Sequence, residues 1–181
     1  SLRRALPEDS RELGALDAQV IQQESENAWP RVRDIHELHD ALLVLGILPQ
    51  AYAYRADAGP TREELDQWFA ELVQAGRAFR FRHGAAGHAD ESWAWAATER
   101  ITLVRAAFPG SRPDPSIAEG PAWGTVLSEE EAHLDLVRGW VECSGPFNPG
   151  ELAQTLGLGE SQVKQAVLQL ESAGLVLRGS F

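Results

Sequence analysis

The chain of 181 residues is 44% hydrophobic and 24% charged, a composition that is typical of a globular protein and excludes a disordered one. Its net charge of −11 means that a phosphate backbone would repel the chain as a whole, so any contact with nucleic acid must be local. No apolar run is long enough to cross a bilayer, and the single cysteine, Cys143, cannot form an internal disulfide. These features predict a cytoplasmic protein with no membrane partner.

The first predicted elements are two helices behind a polar start. Residues 1–16 are mixed and polar, which indicates a linker or the remnant of a preceding region. Asp17 can cap a helix that runs to about Trp29. The next helix places its apolar residues, Ile35, Leu38, Leu42 and Leu45, on one face. Four capping boxes, each a short polar residue followed three positions later by glutamate, mark helix starts along the chain: Asp34/Glu37, Thr61/Glu64, Ser128/Glu131 and Asn148/Glu151.

A helix and a two-stranded hairpin complete the first predicted unit. The helix spans residues 62–75. Residues 78–83 then alternate aromatic and basic side chains, which is typical of a half-buried strand, and residues 93–96 return as the partner strand. With a connecting helix over residues 99–108, the stretch 17–108 is predicted to form one winged helix.

A second unit follows a linker. Residues 109–127 hold four prolines and three glycines, which predicts a linker or an extended strap, and we place the domain boundary there. Residues 128–181 then show the order helix, short helix, tight turn, helix, strand, which is that of a helix-turn-helix with a truncated wing. The first of these helices is expected to bury Leu134, Val137 and Val141. The predicted fold is therefore mainly α with short β-hairpins (α+β), built from two tandem winged-helix modules.

An internal repeat supports the division into two units. Five positions match at a constant offset of 98 residues, since Leu65, Phe69, Leu72, Gly76 and Arg80 correspond to Val163, Val167, Leu170, Gly174 and Arg178. Similarity at a fixed offset indicates two copies of one supersecondary unit. Two copies are too few for a solenoid, so the repeat predicts tandem domains.

The best local signal for nucleic-acid binding is a basic cluster on the predicted wing. Three arginines and two histidines, with no acidic residue between them, stand at Arg77, Arg80, Arg82, His83 and His88. A wing can contact phosphate, although Arg80 and Arg82 could equally be the solvated face of an ordinary strand. Lys164 and Arg178 of the second unit complete the predicted nucleic-acid-binding set. The stretch from Ser128 to Phe181 holds eight acidic and three basic residues, which favours a structural role for its third helix over reading of a groove.

No other pattern predicts chemistry. His36 and His39 are spaced like half of a metal site, but a capped helix with a buried or bonded His39 is the better interpretation. The sequence has no glycine-rich phosphate loop and no GxSxG nucleophile motif. Cys143 has no basic neighbours, which indicates a passive core residue. Five tryptophans are expected in the core rather than as stacking platforms for bases: Trp29, Trp68, Trp93, Trp95 and Trp140. We therefore predict no catalytic residue, no metal site and no cofactor in this segment.

Three sequence blocks resemble a known family. ENAWPRVRDIHELHDALLVLGILP, ERITLVRAAFP and LVRGWVECSGPFNPGELAQTLGLGESQVKQAVLQLESAGLVLRGSF follow one another as in the C-terminal region of bacterial large helicase-related (Lhr) proteins. The resemblance implies a parent chain that is an ATP-dependent 3′-to-5′ DNA or RNA–DNA helicase of DNA repair. Its motor, with ATP and Mg²⁺, has no counterpart in this segment. It also implies tandem winged helices similar to AlkZ-type DNA glycosylases, and oligomer formation.

Three functions remain open at this point. The first is a winged-helix scaffold of an Lhr-type helicase, which supports oligomerisation and guides DNA weakly. The second is part of a uracil-DNA-glycosylase-like domain, an activity attributed to this region in some members of the family, although no catalytic carboxylate can be matched here. The third is a winged-helix transcription regulator, which would need a basic third helix. An apolar cleft with a buried carboxylate would favour the second function, whereas a continuous packed interface between the units would favour the first.

Overall fold

The computed structural model describes residues 30–55, 59–84, 92–118 and 123–176. Several predictions fall outside these ranges: the helix from Asp17 to Trp29, most of the hairpin loop with His88, and the end of the chain with Arg178.

The described chain is mainly helical, with one small antiparallel sheet, which confirms the predicted mixture of helices and short strands. The elements in order are α1 (Ile35–Leu45), β1 (Leu48–Pro49), α2 (Gln50–Ala53), α3 (Arg62–Gln74), β2 (Ala78–His83), β3 (Ser92–Ala97), a 3₁₀ turn (Thr98–Arg100), α4 (Ile101–Ala107), α5 (Glu129–Cys143), α6 (Pro149–Leu156) and α7 (Glu160–Ser172). The strand order is β1-β3-β2. No helix among the described residues has the length and apolar character needed to cross a membrane.

Capping side chains define where the helices begin. Thr61/Glu64 and Ser128/Glu131 form complete reciprocal boxes. At α6 only the first half of the predicted box forms, in which Asn148 accepts the N–H groups of Gly150 and Glu151. At α1 only half of the predicted box forms. Asp34 accepts the N–H of Glu37 at 2.8 Å, but the Glu37 carboxylate accepts from the backbone N–H and the guanidinium of Arg33 instead. The guanidinium and backbone N–H of Arg33 together bind the Glu37 carboxylate more strongly than the single N–H of Asp34 would, because a hydrogen bond from a charged donor is stronger.

Both faces of the sheet contribute to the core, although one of them is exposed in part. Phe79 and Phe81 of β2 are fully buried, and Phe81 packs against Phe108 at a ring separation of 5.2 Å. On the other face, Trp95 stacks on Phe69 of α3 at 4.4 Å. The predicted alternation of buried and exposed side chains holds for β2, where Arg80 and Arg82 stay exposed. It fails for β3, which is buried from Ala94 to Ala97.

The 98-residue offset is preserved in the geometry of two helices. Both α3 and α7 have 13 residues, and each starts and ends 98 positions from the other. Leu72 and Leu170 are buried at equivalent positions. Gly76 and Gly174 end the helices with φ of 72° and 74°, a left-handed conformation that glycine adopts without strain. After Gly76 the chain enters β2. The strand predicted at the end of the second unit, over residues 175–177, lies partly outside the described residues, which end at Val176.

The buried face of α5 differs from the predicted one. Leu136, Trp140 and Cys143 are buried with Val137, whereas the other two predicted core residues, Leu134 and Val141, are only half-buried. The reason is that α5 packs against α1, α4 and α7 at once, so its buried arc is broad and centred on Leu136. A single helical stripe in the sequence does not show which of several partners defines the centre of that arc.

The two halves of the chain share one hydrophobic core. We call residues 30–108 the N-terminal unit and residues 128–176 the C-terminal unit. Trp140 donates its indole N–H to the carbonyl oxygen of Ile47 at 3.1 Å, and Arg100 bonds the carbonyl of Leu43 while lying 3.6 Å from the carboxylate of Asp135. The described part of the predicted linker runs as a strap along the N-terminal unit, because Arg105 binds the carbonyl oxygen of Ile117.

Candidate nucleic-acid interface

Two arginines and a tryptophan form a surface on the outer part of the hairpin. The side chains of Arg80 and Arg82 point to the same face of β2, and Trp93 stands opposite Arg82 in the register. Both guanidinium carbons lie over the indole ring of Trp93, at 4.4 Å and 4.8 Å from its centroid. We call Arg80, Arg82 and Trp93 the Arg–Trp surface. The stacking orders the two cations, because a guanidinium is attracted to the face of an indole ring.

The charge of Arg80 is already paired within the chain. Its Nε donates to Oδ2 of Asp114 at 2.9 Å. The two residues also exchange backbone hydrogen bonds, with Arg80 N–H to Asp114 O at 2.9 Å and Asp114 N–H to Arg80 O at 2.7 Å. The strap therefore lies against the outer edge of β2 and places a carboxylate on the predicted wing. The net positive charge of the Arg–Trp surface is smaller than the sequence implies.

Arg77 belongs to a separate internal network. Its Nη2 lies 2.9 Å from Nδ1 of His39, and Nε2 of His39 lies 3.3 Å from the Glu99 carboxylate. Because a guanidinium can only donate, Nδ1 of His39 must be the acceptor and Nε2 must carry the proton. His39 is buried and bonded, as the helix interpretation predicted, while His36 on the same helix is exposed. Among the described residues, no group of three or more ligating side chains is placed to hold a metal ion.

His83 faces the protein interior rather than solvent. Its Nδ1 donates to the carbonyl oxygen of Leu156 at 3.2 Å, across the contact between the two units. Burial lowers the pKa of His83, and the hydrogen bond to Leu156 opposes this only in part. The imidazole is therefore neutral at neutral pH, and His83 is not placed to contact a phosphate.

The remaining predicted residue in the described range, Lys164, lies on α7 and not on the Arg–Trp surface. Its Nζ pairs with Glu160 at 2.6 Å on the exposed side of that helix. The equivalent exposed side of α3 carries Glu63 and Asp66. Neither α3 nor α7 thus offers an unpaired cationic face of the kind that reads a DNA groove.

Two clefts of the described chain hold no buried carboxylate. One groove of about 250 Å³ runs between α5 and α7 and is lined mainly by Glu129, Glu130, His133, Gln162, Gln165 and Gln169. Another, of about 380 Å³, lies between α2 and α6 and is lined by Tyr52, Arg55, Glu151, Gln154 and Thr155. The buried polar side chains in the described ranges are His39, Thr98 and His133.

Cys143 shows no sign of reactivity. The side chain is buried at the end of α5, and burial, with a smaller contribution from Glu142, raises the pKa of its thiol. A raised pKa leaves little thiolate, which is the nucleophilic form.

Two members of the candidate interface were missed in the sequence. Trp93 was assigned to the core, although the hairpin register places it opposite Arg82 and could have indicated the contact. Asp114 sits in a proline-rich stretch with no periodicity, so no sequence signal connects it to Arg80. Comparison with models of known protein families and with curated proteins found no match for this chain.

Proposed function

We propose that this chain is a non-catalytic scaffold of two winged-helix modules, with one weak nucleic-acid contact at the Arg–Trp surface. The observation that carries the proposal is the continuous core between the two units. In a scaffold the units hold a fixed relation to each other, whereas a base-excising domain needs a pocket that holds both a flipped base and a catalytic acid or base.

Several contacts support a fixed relation between the units. Gly139 of α5 lies directly against the backbone of Val44 on α1, which leaves no room for a side chain. Gly157, in the turn before α7, lies close to His83 at the end of β2. Together with the hydrogen bond from Trp140 to Ile47, these contacts join the units at three places.

The alternatives receive less support. A glycosylase needs an acid or base in a base-sized pocket, and the buried polar side chains of the described residues, His39, Thr98 and His133, include no carboxylate. A winged-helix regulator needs a basic third helix, whereas α3 exposes Glu63 and Asp66 and the lysine of α7 is paired with Glu160. A scaffold has neither requirement.

We further propose that the parent chain is an Lhr-type DNA repair helicase, in which this segment would help to form oligomers and guide DNA. This part of the proposal rests on the three sequence blocks alone. The net charge of −11 favours a scaffold over a clamp, since a clamp must attract phosphate over a large area.

The nucleic-acid contact is tested by a binding titration of the chain with single- and double-stranded DNA over a salt series. Oligomer formation is tested by a measurement of molar mass by light scattering. We expect weak binding that falls as salt rises, because each phosphate contact releases counterions. Arg82→Gln should weaken this binding. Arg55→Gln removes the same charge from an exposed site in the cleft between α2 and α6, and it should have no effect.

Two outcomes would contradict the nucleic-acid part of this proposal. An absence of binding even at low salt would leave a scaffold without a guiding role. Equal weakening by Arg82→Gln and Arg55→Gln would show a diffuse charge effect instead of a local contact. A monomer at every concentration would contradict oligomer formation by this segment on its own.

A further inference from the structure

The pair Arg80–Asp114 has the features of an occupied anion site. Nε of Arg80 donates to one carboxylate oxygen of Asp114 at 2.9 Å. Both side chains are about half exposed, at 45% and 55%, so the pair can exchange with groups from solvent. The backbone bonds between the two residues hold Asp114 in place independently of its charge.

A carboxylate and a phosphate place oxygen acceptors in similar positions before a guanidinium. Arg82 lies next to this pair, ordered on the same indole ring as Arg80. A phosphate bound at Arg80 would therefore meet two oriented guanidinium groups. In the structure the Asp114 carboxylate already pairs with the guanidinium of Arg80.

The same geometry limits what kind of contact can form. The two guanidinium groups cover the ring of Trp93, so a nucleobase cannot stack there unless it displaces an arginine. The surface is thus suited to backbone phosphate and should be indifferent to base sequence.

We propose that Asp114 occupies the position of a nucleic-acid backbone phosphate on Arg80, and that this internal competitor keeps the affinity of the Arg–Trp surface low. The inference rests on the proposed nucleic-acid contact. Removal of the Asp114 charge then frees Arg80 for a phosphate contact that the native chain makes only weakly.

The test compares Asp114→Asn with Asp40→Asn in the full 181-residue chain. Both variants raise the net charge by one. Asp40 serves as the control because it is exposed on α1 and belongs neither to β2 nor to the strap. Asp114→Asn keeps the backbone bonds to Arg80 and the shape of the side chain. We expect it to bind a double-stranded DNA oligonucleotide about 1.5- to 5-fold more tightly, the range that release of one exposed ion pair allows. The plot of log K against log salt should steepen by about 0.9, which corresponds to one more phosphate contact.

Each result separates this inference from the proposed function. If the native chain binds DNA and Asp114→Asn binds no better, the competition is wrong while the weak contact stands. If Asp114→Asn and Asp40→Asn gain equally, net charge alone explains the effect and the inference is overturned. If neither the native chain nor Asp114→Asn binds at low salt, both the proposed nucleic-acid contact and this inference are wrong. Arg80→Gln added to Asp114→Asn must abolish the gain, and circular dichroism should show the native fold in every variant.

Discussion

Gly139 on α5 lies directly against the backbone carbonyl of Val44 on α1, so the two helices touch without a side chain between them. Within a helix, alanine is normally better than glycine by about 1 kcal/mol. Gly139→Ala should nevertheless destabilise the chain, by about 1–3 kcal/mol, because its methyl group would overlap a backbone atom that cannot rotate away. Urea denaturation measures the change, and a gain in stability would show that α1 and α5 can separate at little cost.

Gly157 allows a second test of the contact between the units. It has φ of 69°, and a Cβ there would lie 2.7 Å from Nδ1 of His83 and 2.7 Å from the backbone nitrogen of Gly84. Gly174 has a similar φ of 74°, but no atom of the described residues lies within 4 Å of a Cβ placed there. Gly174→Ala therefore measures the strain of a left-handed alanine alone, about 1–2 kcal/mol. Gly157→Ala should cost clearly more, and equal losses of unfolding free energy would mean that the turn before α7 does not press against β2.

Local features of the chain were predictable from the sequence. The caps at Thr61 and Ser128 depend on residues within four positions, and so do the glycines that end α3 and α7. The alternation of β2 follows from the period of a strand. These signals need no knowledge of what packs where.

Contacts between distant segments were not predictable. The choice of Trp140 over Val141 as a core residue of α5 depends on α1, which approaches at Gly139. His83 was assigned to the basic surface, but the C-terminal unit turns it inward by offering the carbonyl of Leu156. Asp114 reaches Arg80 from a segment without periodicity. In the candidate site, the sequence thus identified the arginines but not the groups that already bind them.

Leu72 and Leu170 test whether the repeat unfolds as one body. Both side chains are buried, 98 positions apart, at 1% and 2% exposure. Replacement of either by alanine should destabilise the chain by about 2–5 kcal/mol. Because the core is continuous, Leu170→Ala should speed hydrogen exchange of the β3 amides as much as that of the α7 amides. Faster exchange confined to α7 would show that the units unfold separately.

His83 makes the stability of the chain depend on pH. Burial lowers its pKa in the folded state, whereas the unfolded side chain titrates near the ordinary value of about 6.5. As the pH falls below that value, the unfolded chain takes up a proton that the folded chain does not, so the free energy of unfolding decreases. The decrease continues until His83 itself becomes protonated in the folded state. Its buried Nε2 has no hydrogen-bond partner among the described residues, so the added proton gains nothing there.

The measurement is urea denaturation from pH 7.5 down to pH 5 for the native chain and for His83→Asn. The asparagine amide can donate to the Leu156 carbonyl in place of Nδ1 but does not titrate. His36 and the other histidines are common to both chains, so their contribution cancels in the difference. The native chain should lose more stability than His83→Asn over this interval. Equal slopes would mean that His83 is as easily protonated in the folded chain as in the unfolded one, and that the contact between β2 and the end of α6 is open to water.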